Sequence, residues 1–221
     1  MNCVGVAADG RVVRFPALGP LSGDFASGGG WLGIAALGAA MRGRDGRGLR
    51  TSLEQLVPRH FGLARPVQVV EAFYARRLPQ SRLLELAPLV FRAAGDGDEA
   101  SRGLLDLLAD EIVAMATSAL RRLRLTSQRV DVILGGGNFR NDDPVFSGRV
   151  CAGIRAMAPG AGITVLDVPP IAGAALLAFD RAGASPSAKS RVRAELTHGR
   201  MTRAALDSGR LRDDAARLPH Q

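Results

Sequence analysis

The order of apolar and polar positions divides the chain into a short β-rich start, a helical middle and a mixed end. Residues 2–6 and 11–15 are short apolar runs, and Asp9-Gly10 between them is typical of a tight hairpin turn. A stretch rich in glycine follows at residues 18–30. The pattern therefore predicts an antiparallel hairpin and then a glycine-rich loop.

Helical spacing dominates up to about residue 125. The strongest prediction is a helix over residues 98–124, with acidic residues at its start and arginines at its end, as the helix dipole favours. Its apolar face is Leu104, Leu108, Ile112, Met115, Ala119 and Leu123. Shorter helices are predicted over residues 31–42, 51–57, 66–74 and 81–94. In the first of these, the apolar positions Trp31, Ile34, Ala35, Leu37 and Met41 fit a helical period.

The last third alternates strands and helices. We predict strands at residues 130–134 and 163–166, each followed by a helix, at 144–157 and 170–179. This order is typical of a parallel βαβα unit. A further helix over residues 186–198 and a polar tail complete the prediction.

The charge does not indicate a nucleic-acid binder. The 221 residues carry a net charge of +8, but 28 of the 29 basic residues are arginine, which suggests codon bias, and residues 181–221 contribute +5. With one Trp and one Tyr, the chain lacks an aromatic platform for stacking single-stranded bases. No nucleic-acid partner is therefore predicted.

The composition, with 47% hydrophobic and 23% charged residues, is that of a globular protein. No apolar run is long enough to span a membrane, and the N-terminus does not read as a signal peptide. Cys3 and Cys151 form no metal or disulfide pattern, so we expect small buried thiols. The histidines, His60, His198 and His220, are scattered. We predict a cytoplasmic protein with no membrane partner and no protein-held metal.

Glycines after the strand at 130–134 are the first candidate for ligand binding. In Gly135-Gly136-Gly137-Asn138 the glycines would let a ligand approach the backbone at the carboxyl end of a strand. The run fits neither a Walker A loop nor G-x-G-x-x-G. A tight turn is the alternative, but three consecutive glycines favour contact with a nucleotide or another ligand.

Other motifs are weaker on their own. Asp24, within a glycine-rich loop, could bind sugar hydroxyls or hydrated Mg²⁺, although an aspartate turn is the better interpretation of that motif alone. Asn2 offers both a donor and an acceptor to a polyol. Asp45-Gly46-Arg47-Gly48 follows a predicted helix, so we interpret it as a helix-terminating loop.

Taken in order, these motifs resemble one family. The BadF/BadG/BcrA/BcrD-type ATPases, and specifically their N-acetylglucosamine kinase-like branch within the actin-like ATPase superfamily, share the pattern over residues 2–196. The residues that carry the resemblance are Asn2-Cys3-Val4-Gly5-Val6 with Asp9-Gly10, Gly23-Asp24, Trp31-Leu32-Gly33, Asp45-Gly46-Arg47-Gly48 with Thr51, Leu86 to Phe91 with Gly97-Asp98, Leu134 to Gly137, and Pro169 to Ala174.

The resemblance implies an α/β fold: a C-terminal ribonuclease-H-like lobe over residues 1–180, with a helical insertion at about 31–125 and a basic C-terminal segment at 181–221. It implies phosphoryl transfer from ATP, with Mg²⁺, to an amino sugar, and it allows a homodimer. Gly135, Gly136, Gly137 and Asn138 match the family's adenosine motif, and Leu84 matches a residue that flanks adenine. Asn2, Gly19 and Asp24 match residues of the sugar pocket.

The sequence also departs from the family. It has no Asp-Gly-Gly-Gly-Thr phosphate loop, and Gly-Asp-Glu-Gly-Ser is replaced by Gly23-Asp24-Phe25-Ala26-Ser27. We therefore expect a truncated chain without the N-terminal lobe, no catalytic residue within it, and no kinase turnover by residues 1–221 alone. A non-catalytic nucleotide- or sugar-binding module is the alternative. An ATP-driven reductase activator ranks lower because the two cysteines are misplaced for an iron–sulfur cluster.

Overall fold

The computed structural model describes residues 1–166, 168–197 and 199–200, and the chain divides into two units. Unit 1 comprises Met1–Val132 and Gly137–Thr164. Unit 2 comprises Ile133–Gly136 and the described residues from Val165 onward. Helices and short strands are mixed throughout, as an α/β fold requires.

Unit 1 begins with the predicted hairpin. Strands β1 (Val4–Val6) and β2 (Val12–Arg14) pair antiparallel, with Val4 opposite Arg14. At the turn the Ala7 N–H donates to the Arg11 carbonyl at 2.9 Å, and Gly10 takes a positive φ of 85°. Positive φ favours glycine, which is why Asp-Gly makes this turn. The hairpin prediction is confirmed.

Helices form most of unit 1. Their bounds are α1 (Gly29–Asp45), α2 (Leu53–His60), α3 (Pro66–Tyr74), α4 (Ala87–Gly95), α5 (Glu99–Leu123) and α6 (Pro144–Met157). The predicted bounds are confirmed for α3 and α6, each of which has proline in its first turn, where the missing N–H costs no helical bond.

The prediction of one helix over residues 81–94 is wrong. A 3₁₀ segment, Gln80–Leu86, comes first, and the α-helix begins at Ala87. Pro88 is the second residue of α4. Because proline has no backbone N–H, it is tolerated at the start of a helix but not inside one. The helix therefore begins at this proline rather than running through it.

The buried stripe of α1 differs from the apolar positions that mark its helical period. Ile34 is 60% exposed, whereas Leu32, Ala36 and Ala40 are fully buried. Gly33 lies in the same buried stripe, and a Cβ on it would stand 1.9 Å from the carbonyl oxygen of Leu83. The helix thus packs through its small residues, which allow the 3₁₀ segment to approach its backbone.

The core of unit 1 lies on α5. The long helix buries most of its predicted face, with Leu104 half-buried and Leu105 fully buried. α6 packs against α5 closely enough that a Cβ on Gly153 would lie 2.7 Å from a methyl of Val113. The Phe146 ring of α6 meets Phe91 of α4 edge to face, with centroids 5.4 Å apart.

A second pair of strands follows α5. β3 (Val130–Leu134) and β4 (Ala161–Val165) are neighbours in one sheet, with α6 between them in the chain. Gly162 lies near Val130 and Asp131, and the Leu166 N–H donates to the Leu134 carbonyl at 2.8 Å. The pairing thus advances in the same direction along both strands, from residue 162 beside 130–131 to residue 166 beside 134, so the strands are parallel.

Unit 2 continues with α7 (Pro170–Arg181) and α8 (Pro186–Glu195), which pack on each other. α8 ends before the predicted residue 198. His198, His220 and residues 201–221 of the basic tail lie outside the described residues. None of the helices in the described part of the chain could cross a membrane.

Candidate functional site

The loop between β2 and α1 brings together two of the predicted sugar-binding residues. A 3₁₀ turn over Gly19–Ser22 ends at Gly23, whose φ of 81° reverses the chain, so the N–H of Asp24 reaches the Gly19 carbonyl at 3.1 Å. The Ser22 hydroxyl lies 2.5 Å from the Asp24 carboxylate and accepts from the N–H of Leu18 at 2.8 Å. Gly19 and Asp24 therefore belong to one closed turn.

Asp24 is held inside this turn, with 5% of its surface exposed. The negative charge of Asp24 also affects a carboxylate on α5. Burial, and then the negative charge of Asp24, raise the pKa of Glu111 above its usual value. Sequence reasoning missed Glu111, although a glutamate between the apolar turns of a long core helix is a usable signal.

The start of the chain lies against the segment that leads into α1. The Met1 amino group donates to the Ser27 carbonyl at 2.9 Å, and a Cβ on Gly28 would lie 3.8 Å from that of Met1. Asn2 follows directly and is exposed. The structure therefore leaves the predicted sugar contact Asn2 open to solvent, one residue from this anchored terminus.

The first turn of α1 brings two predicted nucleotide residues together. A Cβ on Gly29 would lie 3.6 Å from Oδ1 of Asn138 and 3.8 Å from Cδ2 of Leu84. Leu84 belongs to the 3₁₀ segment before α4, and Asn138 follows β3. Residues from three distant parts of the chain thus meet beside Gly29.

The glycines at the start of α1 determine the course of the backbone rather than supply side-chain contacts. Gly28 precedes α1 with a φ of 94°, and no side chain caps the helix. Among the described residues the N–H groups of the first turn therefore have no side-chain acceptor, an arrangement that suits an anion such as a phosphate. The residues present at this turn are compatible with a bound nucleotide.

The predicted glycine run divides between the two units. Gly135 and Gly136 belong to unit 2, and Gly136 has a φ of 117°, which only glycine adopts easily. A Cβ on Gly135 would lie 3.5 Å from Leu166, an ordinary contact. Gly137 belongs to unit 1, and its carbonyl accepts from the Asn141 side chain at 3.1 Å.

Magnesium has no protein cage in the part of the chain that the structure describes. No group of three or more His, Cys, Asp or Glu side chains is arranged to hold a metal ion among these residues. Mg²⁺ in nucleotide sites commonly keeps several waters and is bound through phosphates and one or two carboxylates.

The remaining motifs have structural roles. Gly46, with a φ of 83°, ends α1, and Arg47 pairs with Asp45 at 2.7 Å, so the prediction of a helix-terminating loop is confirmed. Cys3 and Cys151 are half-buried rather than buried, because each lies at the margin of the core. Burial raises the pKa of the Cys3 thiol.

The sequence is similar to one curated protein of named activity. It is 27% identical over 179 residues to "N-acetyl-D-glucosamine kinase" from Dictyostelium discoideum. The aligned region covers 80% of this chain and 56% of that protein, so the chain spans about half the length of the relative it matches. No model of a known protein family matches the sequence.

Proposed function

We propose that this chain is part of a sugar kinase-like protein of the N-acetylglucosamine kinase type, within the actin-like ATPase superfamily. The observation that carries the proposal is the 27% identity to an N-acetyl-D-glucosamine kinase over 80% of the chain. The convergence of Leu84 and Asn138 beside Gly29 supports it, because both residues match nucleotide-contacting positions of the family that the sequence resembles.

In this proposal the nucleotide lies against the loop after β3. Gly137 and Asn138 contact the adenosine, and Leu84 offers an apolar surface to the base. The adenosine motif that the family resemblance implies also includes Gly135 and Gly136. Leu84 is 56% exposed, so a flat apolar ligand could cover it. Phosphate groups would find the uncapped N–H groups of α1 close to Asn138.

The sugar is assigned to the loop of Gly19 and Asp24 together with Asn2. Asp24 is held by Ser22 and by the backbone of its own turn, so its carboxylate is already fixed in orientation. A pre-oriented acceptor loses little side-chain entropy when it binds a hydroxyl. Asn2 supplies an exposed donor and acceptor for a polyol.

The reaction of the whole protein would be transfer of a phosphoryl group from ATP, with Mg²⁺, to a hydroxyl of an amino sugar. Catalysis of this kind depends mainly on positioning and electrostatic stabilisation. We assign binding roles to the residues above and the catalytic base to none of them. The sequence also carries no Asp-Gly-Gly-Gly-Thr phosphate loop, so we propose that residues 1–221 alone do not turn over.

A coupled ADP-release assay with N-acetylglucosamine and MgATP tests this assignment. We expect turnover at background from the purified chain, together with saturable binding of the sugar measured by ligand-observed NMR. Turnover in the ordinary kinase range, about 1 to 100 per second, would contradict the absence of a base. As a control, Asp24→Asn should lose sugar binding while its circular dichroism spectrum stays unchanged.

Binding without turnover is also what a non-catalytic binding module would give. The two functions separate when the chain is assayed within a longer protein that carries the phosphate loop. A sugar kinase-like protein then turns over N-acetylglucosamine, whereas a regulatory module still only binds it.

A further inference from the structure

The helical part of unit 1 contains a cavity that the proposed function does not use. Its volume is about 600 Å³, within the range of sites for small metabolites. Residues before α2, before α3 and around the start of α5 line it, and Arg44, Arg50 and Arg65 are its three basic side chains.

Two of these arginines have no carboxylate partner among the residues that the structure describes. Among the ion pairs of the described residues, Arg50 pairs with Glu54 at 3.3 Å, and Arg44 and Arg65 appear in none. A guanidinium presents a planar fork of donors that matches carboxylate and phosphate oxygens in pairs. The guanidinium groups of Arg44 and Arg65, on the lining of one cavity, are therefore available to donate hydrogen bonds to an anionic group.

The acidic side chains of the lining are largely occupied. Asp98 accepts from the Thr51 hydroxyl at 2.9 Å, the N–H of Ser52 at 2.6 Å and the N–H of Ser101 at 2.8 Å. These bonds lower the pKa of Asp98 although burial, the largest single effect, raises it.

The second acid, Glu54, is also engaged. It is buried, with 8% of its surface exposed. Its carboxylate pairs with Arg50 and accepts a hydrogen bond from the N–H of Thr51 at 3.4 Å. Glu99, the third, lies exposed in the first turn of α5. Asp98 and Glu54 are therefore satisfied within the protein, which leaves one acid, Glu99, against two arginines that form no ion pair among the described residues of this lining.

Because 28 of the 29 basic residues are arginine, many arginines lie at the surface, and exposure alone does not single out any of them. What distinguishes Arg44 and Arg65 is their place on one concave lining, which also includes the hydroxyl and amide groups of Thr51, Ser52 and Gln55. We propose that this cavity binds a small phosphate-bearing molecule through Arg44 and Arg65. It is a site separate from the residues assigned to ATP and sugar.

Titration with inorganic pyrophosphate, followed by NMR of the arginine side-chain Nε–H signals, tests the proposal. The wild-type chain should show saturable shifts, and Arg44→Gln and Arg65→Gln should each weaken binding about tenfold, the loss of one charge-assisted pair. Arg155→Gln on α6, away from this cavity, is the matched control and should bind like the wild type. Circular dichroism verifies that all the variants fold.

Three results would overturn the proposal. They are no saturable shift at millimolar pyrophosphate, equal binding by both cavity variants and the wild type, or tighter binding of citrate than of pyrophosphate, which would make the ligand a carboxylate. Adenosine, which has no phosphate, reports separately on the residues proposed for ATP. Failure of the cavity therefore leaves adenosine binding intact, and failure of the nucleotide assignment leaves pyrophosphate binding intact.

Discussion

Arg102 of α5 and Asp143 form a two-bond ion pair, in which the guanidinium nitrogens donate to the two carboxylate oxygens at 3.1 and 2.9 Å. Asp143 is also the N-cap of α6 and accepts from the N–H of Phe146 at 2.8 Å. Burial raises the pKa of Asp143, but these bonds outweigh it and hold the pKa below its usual value. One carboxylate thus joins two helices of the core.

Replacing that carboxylate should be costly. Asp143→Ala leaves Arg102, only 24% exposed, without a partner and removes the cap of α6. We expect the free energy of unfolding to fall by about 2 to 4 kcal/mol, measured by urea denaturation. Asp110→Ala is the control: it breaks the exposed pair with Arg149 between the same helices, and should cost under about 1 kcal/mol. Equal losses in both variants would contradict this account.

Gly33 should tolerate no side chain. Gly33→Ala places a Cβ 1.9 Å from the Leu83 carbonyl oxygen, which is backbone and cannot turn aside. We expect a loss of at least about 2 kcal/mol in thermal or urea unfolding. Gly38→Ala in the same helix meets nothing within 4 Å and should stabilise by up to about 1 kcal/mol, because alanine is the better helix former. A neutral Gly33→Ala would show that α1 does not approach Leu83 as described.

Glu85 should make stability sensitive to acid. Bonds from Arg82, and then from His60, lower the pKa of Glu85 to about 2 from 4.5. A lowered pKa stabilises the fold above the unfolded value, and that contribution is lost as pH falls from about 4.5 to about 2. Because the side chain is 39% exposed, the effect should not exceed about 1 kcal/mol.

The measurement is urea unfolding of the wild type and Glu85→Gln between pH 6 and pH 2. The stability of the wild type should fall more steeply with acid than that of the variant, and the two should converge at the lowest pH. Parallel curves would mean that the Arg82 and His60 contacts do not stabilise the ionised carboxylate.

Sequence reasoning located the elements that carry local signals. Pro66 and Pro144 mark the starts of α3 and α6, and the apolar run of Val130–Leu134 marks β3, so these bounds are confirmed. The buried face of α1 carries no such signal, because a backbone approach at Gly33 demands small residues while larger ones mark the helical period. Only tertiary packing decides between the two faces.

The candidate site was predictable in part for the same reason. Asp24 and Gly19 are close in the chain, and a glycine-rich turn brings them together. Leu84 and Asn138 meet beside Gly29 through packing, which local sequence patterns do not encode. The arginine cavity gave no sequence signal either, because Arg44 and Arg65 lie on different segments and line one cavity only in the fold.

We propose that the residues beside Gly29 bind an adenine nucleotide. Calorimetric titration of MgATP into the chain tests it most directly, in an Arg44→Gln/Arg65→Gln background that silences the arginine cavity. We predict saturable binding that Asn138→Ala weakens about tenfold, the loss of one well-placed hydrogen bond, while N-acetylglucosamine still binds. No saturable binding at millimolar MgATP, or equal affinity with and without Asn138, would contradict the account.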